Sequence, residues 1–399
     1  MKRVCMVRNS YYPRVPPNRR NAETLVSYGY EVDVICLKEK GEKSKDRVAG
    51  VGVYRLPIEH HRGGILRYLF EYFSCFLLDF WKLTWLFLKR RYQVVEVSGI
   101  PDFMVFTAVI PRLLGASVIL NFLDHTADFF QEKYMLGSGH VAVRFLRWVE
   151  KTSACWADHV FTTQNVTRDL LESRGVPAAK MSVIPNVPDE KFASHRSSLN
   201  SDNDYFRLVT HGSLLEIYGI QTLLRAVPLL IEEIPQLKVE IVGDGEYRPE
   251  LERIAQSLGI QNRVDFTGLL PQSEVPEHIT RAHIGVVTVK CKFPALSNKL
   301  FEYLAMGKPA VVTSISANKA HFDGKSVMFF EPENEHDLAR CVLDLFKNPE
   351  KRTELAASGS AAYQKYRWQV IKHDYLKVFD NLIKEKCIVR SSISKTIHS

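Results

Sequence analysis

Residues 296–312, LSNKLFEYLAMGKPAVV, place an amide, an amine and a carboxylate at the entrance of one short helix, just ahead of a buried strand. Asn298 stands where a side chain can cap open helix amides. Lys299 and Glu302 are three residues apart and share a helix face. An ammonium beside helix-start amides suits an anion such as a phosphate. A carboxylate one turn further in accepts hydrogen bonds through both oxygens. The plain alternative is an i,i+3 ion pair on a capped surface helix.

Other chemical groups are sparser. Gly243-Asp-Gly245 follows the strand-like LKVEIV. Such a turn lets backbone approach a base or ribose closely, or simply joins a strand to a helix. His60 and His61 are adjacent, without further ligands at metal spacing, and read as surface residues. The seven cysteines stand singly, with no C-x-x-C pair. They read as reduced structural thiols on a cytosolic chain, and no metal site is expected.

The elements that must position these groups alternate. RVCMVRN, YEVDVICL, YQVVEVSG and ASVILNFL are short apolar runs separated by helical patterns such as RRNAETLVSYG and DFMVFTAVIPRLLG. That alternation predicts βαβ units and a parallel sheet. HRSSLNSDNDYF, near residue 200, breaks it and reads as a linker. A second series follows, from FRLVTHGSL through LKVEIVGDG, RVDFTG and HIGVVTV to PAVVTS. The fold class expected is therefore α/β, two doubly wound parallel-sheet domains in tandem. Residues 1–190 form the first, 191–206 the linker and 207–368 the second. A helix over 369–387 packs back, and 388–399 is a disordered tail. Ligands of open parallel sheets bind beyond the strands' carboxyl ends, so a cleft between the domains is the default site.

The net charge of +8 suits anionic lipid or phosphorylated substrates. The basic residues are spread out and not interleaved with aromatics, so nucleic acid is not an expected partner. The basic start, MKRVCMV, lacks a long apolar core and a cleavage site and predicts no signal peptide. Residues 65–91, ILRYLFEYFSCFLLDFWKLTWLFLKRR, are rich in Phe, Trp and Leu and end in KRR. Their uncharged stretches are too short to span a bilayer. Two readings stay open: a helix lying in a membrane interface, or a core helix with its polar stripe turned outward. The location expected is cytoplasmic, at the membrane face if this helix docks there.

In this order and spacing, VSGIPDFMVFTAVIPRLLGASVIL, VIPNVPDEKF, HGSLLEIYGI, VGDG, RVDFTGLLP and LSNKLFEYLAMGKPAVV resemble the retaining glycosyltransferases of family 4, over about residues 1–385. The resemblance implies the GT-B architecture, two facing Rossmann-like domains. It implies transfer of a sugar, with retention, from a UDP- or GDP-sugar donor to a lipid-linked or saccharide acceptor, as in cell-surface glycan synthesis. It implies no cofactor and no metal.

Residue by residue, it implies a donor site of Gly212, Ser213, Tyr218, Gly243, Gly245, Asn298, Lys299 and Glu302. Glu302 matches the acidic residue that meets the nucleotide ribose. The basic residues usual after the second domain's first strand are replaced here by Ser213, Ile217 and Tyr218, and the usual first acidic residue by Pro294. Lys299 and helix-start amides are left as the diphosphate ligands. In LNFLDHTADFF, Leu123 stands where a histidine is usual, so Asp124 and His125 are the catalytic candidates and Asp128 an acceptor-side residue. Arg14, Arg19 and Arg20 could meet an anionic acceptor; the alternative is solvated helix-start arginines, a reading that suits Arg20 more than Arg14. Domain closure would exclude water. Because family residues are replaced, a catalytically impaired binding or scaffold subunit is one alternative. A nucleotide-sugar epimerase of the same architecture is another.

Overall fold

The computed structural model describes residues 2–58, 65–98, 101–123, 126–134, 136–137, 139–193, 204–290 and 296–397. The chain divides into two compact units, one of Met1–Asn186 with Ile371–Ser399, the other of Val187–Val370.

The first unit opens with β1 (Lys2–Tyr11), α1 (Pro16–Ser27), β2 (Tyr30–Leu37), β3 (Lys45–Val48), β4 (Val51–Leu56) and α2 (Ile65–Arg90). It continues with β5 (Val94–Ser98), a 3-10 turn (Asp102–Ala108), α3 (Val109–Leu113), β6 (Ser117–Phe122), α4 (Thr126–Lys133), α5 (Val141–Trp156), β7 (His159–Thr162), α6 (Asn165–Ser173) and β8 (Met181–Val183). The sheet order is β3-β4-β2-β1-β5-β6-β7-β8. All pairings are parallel except β3 with β4. β1, β2 and β5 are covered on both faces, which is why they read as largely apolar runs, with Arg8, Asp33 and Glu96 buried among them. The β3–β4 hairpin, α4 and α5 were not anticipated. β3 is the charged edge KDRV, which carries no apolar period. α5 splits its large apolar residues, burying Val143 while exposing Phe145 and Trp148.

The second unit holds α7 (Glu190–Ala193), β9 (Phe206–His211), α8 (Ile220–Ile231), β10 (Leu237–Val242), α9 (Arg248–Ser257), β11 (Val264–Gly268) and α10 (Val275–Arg281). After these come β12 (Ile284–Val287), α11 (Asn298–Ala305), β13 (Ala310–Thr313), α12 (Ser316–Lys319), β14 (Met328–Phe330), α13 (Glu335–Lys347) and α14 (Pro349–Tyr363). Its order, β11-β10-β9-β12-β13-β14, reverses direction between β9 and β12. That reversal opens a crevice at the carboxyl ends of β9 and β12, where such sheets take ligands.

The last helix, α15 (Trp368–Ile397), belongs to the first unit from Ile371 onward. The disorder expected from 388 is corrected: α15 runs on to Ile397. Side-chain alternation divides the first sheet between two layers. Cys5, Val7, Val95 and Val97 face Leu83, Leu86 and Phe87 of α2, Met104 of the 3-10 turn and Ala154 of α5. On the opposite side Tyr375 and Phe379 of α15 meet Phe161 of β7. Tyr375 also donates to Glu96 at 2.8 Å. Glu96 holds Arg8 at 2.6 Å and accepts from Asn121 at 2.8 Å, so this fully buried pair is satisfied on its carboxylate side.

Helix α2 packs on the core through Cys75, Leu83, Leu86 and Phe87, and its expected outward polar stripe holds at Lys89 but is corrected at Glu71. Glu71 and Asp79 face inward, Asp79 only 2% exposed, while Phe70 (72%), Phe73 and Trp81 (66%) face out with Trp85 and Leu88. Burial pushes the Asp79 carboxyl up to about 8, and its Oδ2 has no hydrogen-bond partner. No helix among the described residues is long and apolar enough to cross a membrane.

Candidate functional site: a cationic crevice at the end of β9

The second unit's switch point gathers most of the expected donor-side residues. β9 ends at His211, Gly212 follows with φ +111°, and α11 enters from the β12 side. A methyl group at Gly212 would come within 4.0 Å of Lys299 Cε, so the turn and the lysine are in contact range. Lys299 Nζ lies 5.7 Å from the centre of the Tyr218 ring. Among the described residues it has no hydrogen bond or ion pair.

Burial draws the Lys299 amine down to about 8, with the Glu302 carboxylate opposing the shift. Below that pH it is a cation with little water around it, an arrangement that favours an anion at short range. Its neighbours add polar groups. α11 begins at Asn298, and the N-cap is Ser297, whose side chain makes no capping bond. Asn298 is therefore corrected from cap to exposed first helical residue. The first-turn amides lack a side-chain cap, and they point where an anion would sit.

Glu302 turns toward His211 rather than toward solvent. Its carboxylate meets His211 Nε2, while Nδ1 lies 3.0 Å from the Tyr303 hydroxyl. Tyr303 is also 3.2 Å from the carbonyl of Val209. Two proton arrangements satisfy this chain. In one, Tyr303 donates to Nδ1 and Nε2–H donates to Glu302. In the other, an imidazolium donates both ways and Tyr303 donates to Val209. Either leaves Glu302 with one oxygen for a ligand hydroxyl. Sequence reasoning missed His211, which is 91 residues from Glu302. The available signal was its place as the last residue of a central strand.

The glycines at 243 and 245 serve the protein's own backbone. A Cβ at Gly243 would fall 2.0 Å from the Gly212 carbonyl oxygen, and one at Gly245 2.3 Å from that of Leu214. The two turns also share hydrogen bonds, Gly212 N–H to Val242 at 2.8 Å and Leu214 N–H to Asp244 at 3.0 Å. Such interlocking fixes where Gly212 and exposed Ser213 stand beside Lys299.

The first-unit candidates are dispersed. Asp124 and His125 lie outside the described residues, as do His60, His61 and Pro294. Asp128 ties helices together, 3.1 Å from Arg147 and 3.0 Å from Arg174, which also pairs with Glu150. Arg14 is largely exposed and lies 2.7 Å from Glu39. Arg19 is half-buried on α1. Arg20 is corrected: it is buried, with Nη2 donating to Asn21 at 3.0 Å. The cysteines Cys5, Cys36, Cys75, Cys155 and Cys341 are free thiols.

The chain is similar to known proteins over most of its length. Residues 18–187 match the model described as Glycosyl transferase 4-like domain, and 205–348 the one described as Glycosyl transferases group 1. The gpi3 subunit of phosphatidylinositol N-acetylglucosaminyltransferase from Schizosaccharomyces pombe is 23% identical over 375 residues, 91% of this chain and 76% of that protein. A GDP-mannose-dependent phosphatidylinositol monomannoside mannosyltransferase from Mycolicibacterium smegmatis is 26% identical over 227 residues, 53% of this chain and 59% of that protein. Among solved structures, a sucrose-phosphate synthase from Thermosynechococcus elongatus superposes with TM-score 0.80 at 17% identity, covering 96% of this chain and all of that one.

The chain belongs to the family 4-like glycosyltransferases of GT-B architecture. It is a hexosyltransferase-type enzyme.

Proposed function

We propose that this enzyme glycosylates a lipid-linked acceptor at an anionic membrane surface, with α2 lying on that surface. The observation that carries the reading is a second, exposed apolar face on α2, opposite the one that packs on the sheet. α2 turns Phe70, Phe73, Trp81, Trp85 and Leu88 to solvent, while Asp79 is buried beneath it. Its last turn holds Lys89 and Arg90, and Lys89 Nζ lies 3.8 Å from the Trp85 ring centre. Aromatic rings beside basic groups are what an interfacial helix presents to acyl chains and lipid phosphates. The two similar glycosyltransferases named above both carry phosphatidylinositol in their names, which supports a lipid acceptor.

In this reading the donor is a UDP- or GDP-sugar. Lys299 and the α11 amides meet its diphosphate, and Glu302 its ribose. Stabilising the departing diphosphate is the main electrostatic task. Transfer retains configuration and needs no metal. Asp124 and His125 orient the reacting hydroxyls, so Asp124→Asn and His125→Ala each lower kcat more than they raise donor KM.

Co-sedimentation with vesicles tests the reading. The protein pellets with phosphatidylglycerol vesicles and not with phosphatidylcholine vesicles. Trp81→Glu/Trp85→Glu lowers that binding at least tenfold. Equal binding by the double variant would overturn it.

A further inference from the structure

Helix α2 also walls a cavity. Phe70, Ser74 and Leu78, four residues apart, line one side of a space of about 690 Å³ at the carboxyl ends of β2 and β4. Lys38, Glu39, Lys40 and Ile58, from the segments after β2 and β4, line it too, as does Glu71 of α2. Beyond Leu78 the helix stripe continues as exposed Trp81, Trp85 and Leu88, roughly 15 Å further along the axis. One row of side chains is therefore a cavity wall at one end and an exposed apolar seam at the other.

The charges of the lining do not cancel pairwise among the described residues. Glu39 is already held by Arg14 at 2.7 Å. Among the described residues Lys38 reaches Ser44 Oγ, at 3.4 Å, and no carboxylate. Lys40 is exposed and makes no ion pair among the described residues. Two ammonium groups thus face one remaining carboxylate, Glu71, which has interactions of its own. Ile58, Phe70 and Leu78 give the rest of the lining an apolar character.

We infer that this cavity binds an amphiphile that carries a phosphate, with Lys38 and Lys40 at the phosphate and Ile58, Phe70 and Leu78 around the first carbons of its tail. The inference rests on the membrane reading above and adds the acceptor's class, a lipid phosphate, and the place where it enters. A ligand sliding along the α2 seam would pass from the membrane into the cavity without crossing bulk water. A mainly apolar cleft with a few placed charged groups is the usual make-up of such a site.

Calorimetry with dihexanoyl phosphatidylglycerol, a lipid short enough to stay in solution, tests it. The wild-type chain binds this probe at least tenfold more tightly than glycerol 3-phosphate or dihexanoyl phosphatidylcholine. Ser74→Trp, which fills the cavity from α2, and Lys38→Glu/Lys40→Glu, which reverses its charge, each weaken the probe at least tenfold. Both variants keep the wild-type far-UV circular dichroism spectrum and melting transition, which shows that the first unit folds, and both still bind nucleoside diphosphate in the second. Undiminished probe binding by Ser74→Trp overturns the inference. Equal affinity for glycerol 3-phosphate also overturns it, as a free-phosphate site only. If vesicles bind and the short lipid does not, the cavity assignment fails and the membrane reading stands. If the short lipid binds and vesicles do not, the membrane reading fails alone.

Discussion

Glu302, one turn into α11, is held by His211 from the end of β9, and His211 is held in turn by Tyr303. The carboxylate thus has a fixed direction before any ligand arrives. Glu302→Gln keeps the shape and removes the charge. A hydrogen bond to a charged group contributes about 1.5–3 kcal/mol, so donor affinity falls roughly ten- to a hundredfold. His211→Asn frees the carboxylate and raises donor KM several-fold with kcat little changed, the mark of a positioning residue. Steady-state kinetics separates the two. An unchanged KM in both variants would remove this pair from the donor site.

In the proposed donor site, Lys299 sets the alkaline limit of donor binding. Its amine titrates near 8 because it is buried, and a bound diphosphate keeps it charged. Affinity for nucleoside diphosphate therefore holds between about pH 7, where the terminal phosphate is ionised, and pH 8, and falls up to about tenfold per unit above it. Lys299→Arg keeps the charge and removes that fall. Lys299→Glu weakens binding at least tenfold at pH 7. A wild-type affinity that stays level to pH 9.5 contradicts the assignment.

Asp79 makes stability fall with rising pH. Its folded carboxyl is raised to about 8 from an ordinary 3.8, so between those values the unfolded chain has released a proton that the folded chain keeps. The destabilisation grows from pH 4 to 8 and is constant above. Asp79→Asn cannot ionise. Thermal melts show the variant's advantage over wild type opening across that window, and a constant gap from pH 4 to 8 would contradict it.

The Arg8–Glu96 pair is buried on both sides and reaches α15 through Tyr375. Glu96→Ala strands a buried guanidinium and destabilises by about 3–5 kcal/mol. Tyr375→Phe removes one hydrogen bond to a charged group and costs about 1.5–3 kcal/mol. Urea unfolding measures both, with Glu96→Ala expected to be the larger.

How much of this was legible in the sequence depended on range. The Lys299–Glu302 spacing was readable because helical geometry fixes it within one turn, and the strand series was readable because buried parallel strands are largely apolar. Gly243 and Gly245 stood out as a turn. That the turn closes on the Gly212–Leu214 backbone depends on β9 and β10 being neighbours, which no local pattern states. His211 had no spacing signal toward Glu302. Helix α2 was evident as a helix, but its orientation was not. The ordinary rule turns charge outward, and here Asp79 and Glu71 face in while tryptophans face out.

The most direct measurement is product formation on vesicles. Phosphatidylglycerol vesicles carrying a cell's own lipid extract are incubated with the enzyme and a panel of UDP- and GDP-sugars, with EDTA present. Released nucleoside diphosphate and sugar-bearing lipid are then quantified by mass spectrometry. The prediction is one donor that yields both products in equal amounts. Lys299→Glu and Trp81→Glu/Trp85→Glu each lower the yield at least tenfold. No nucleoside diphosphate released from any donor, or release without a glycosylated lipid, would contradict lipid-directed transfer at a membrane.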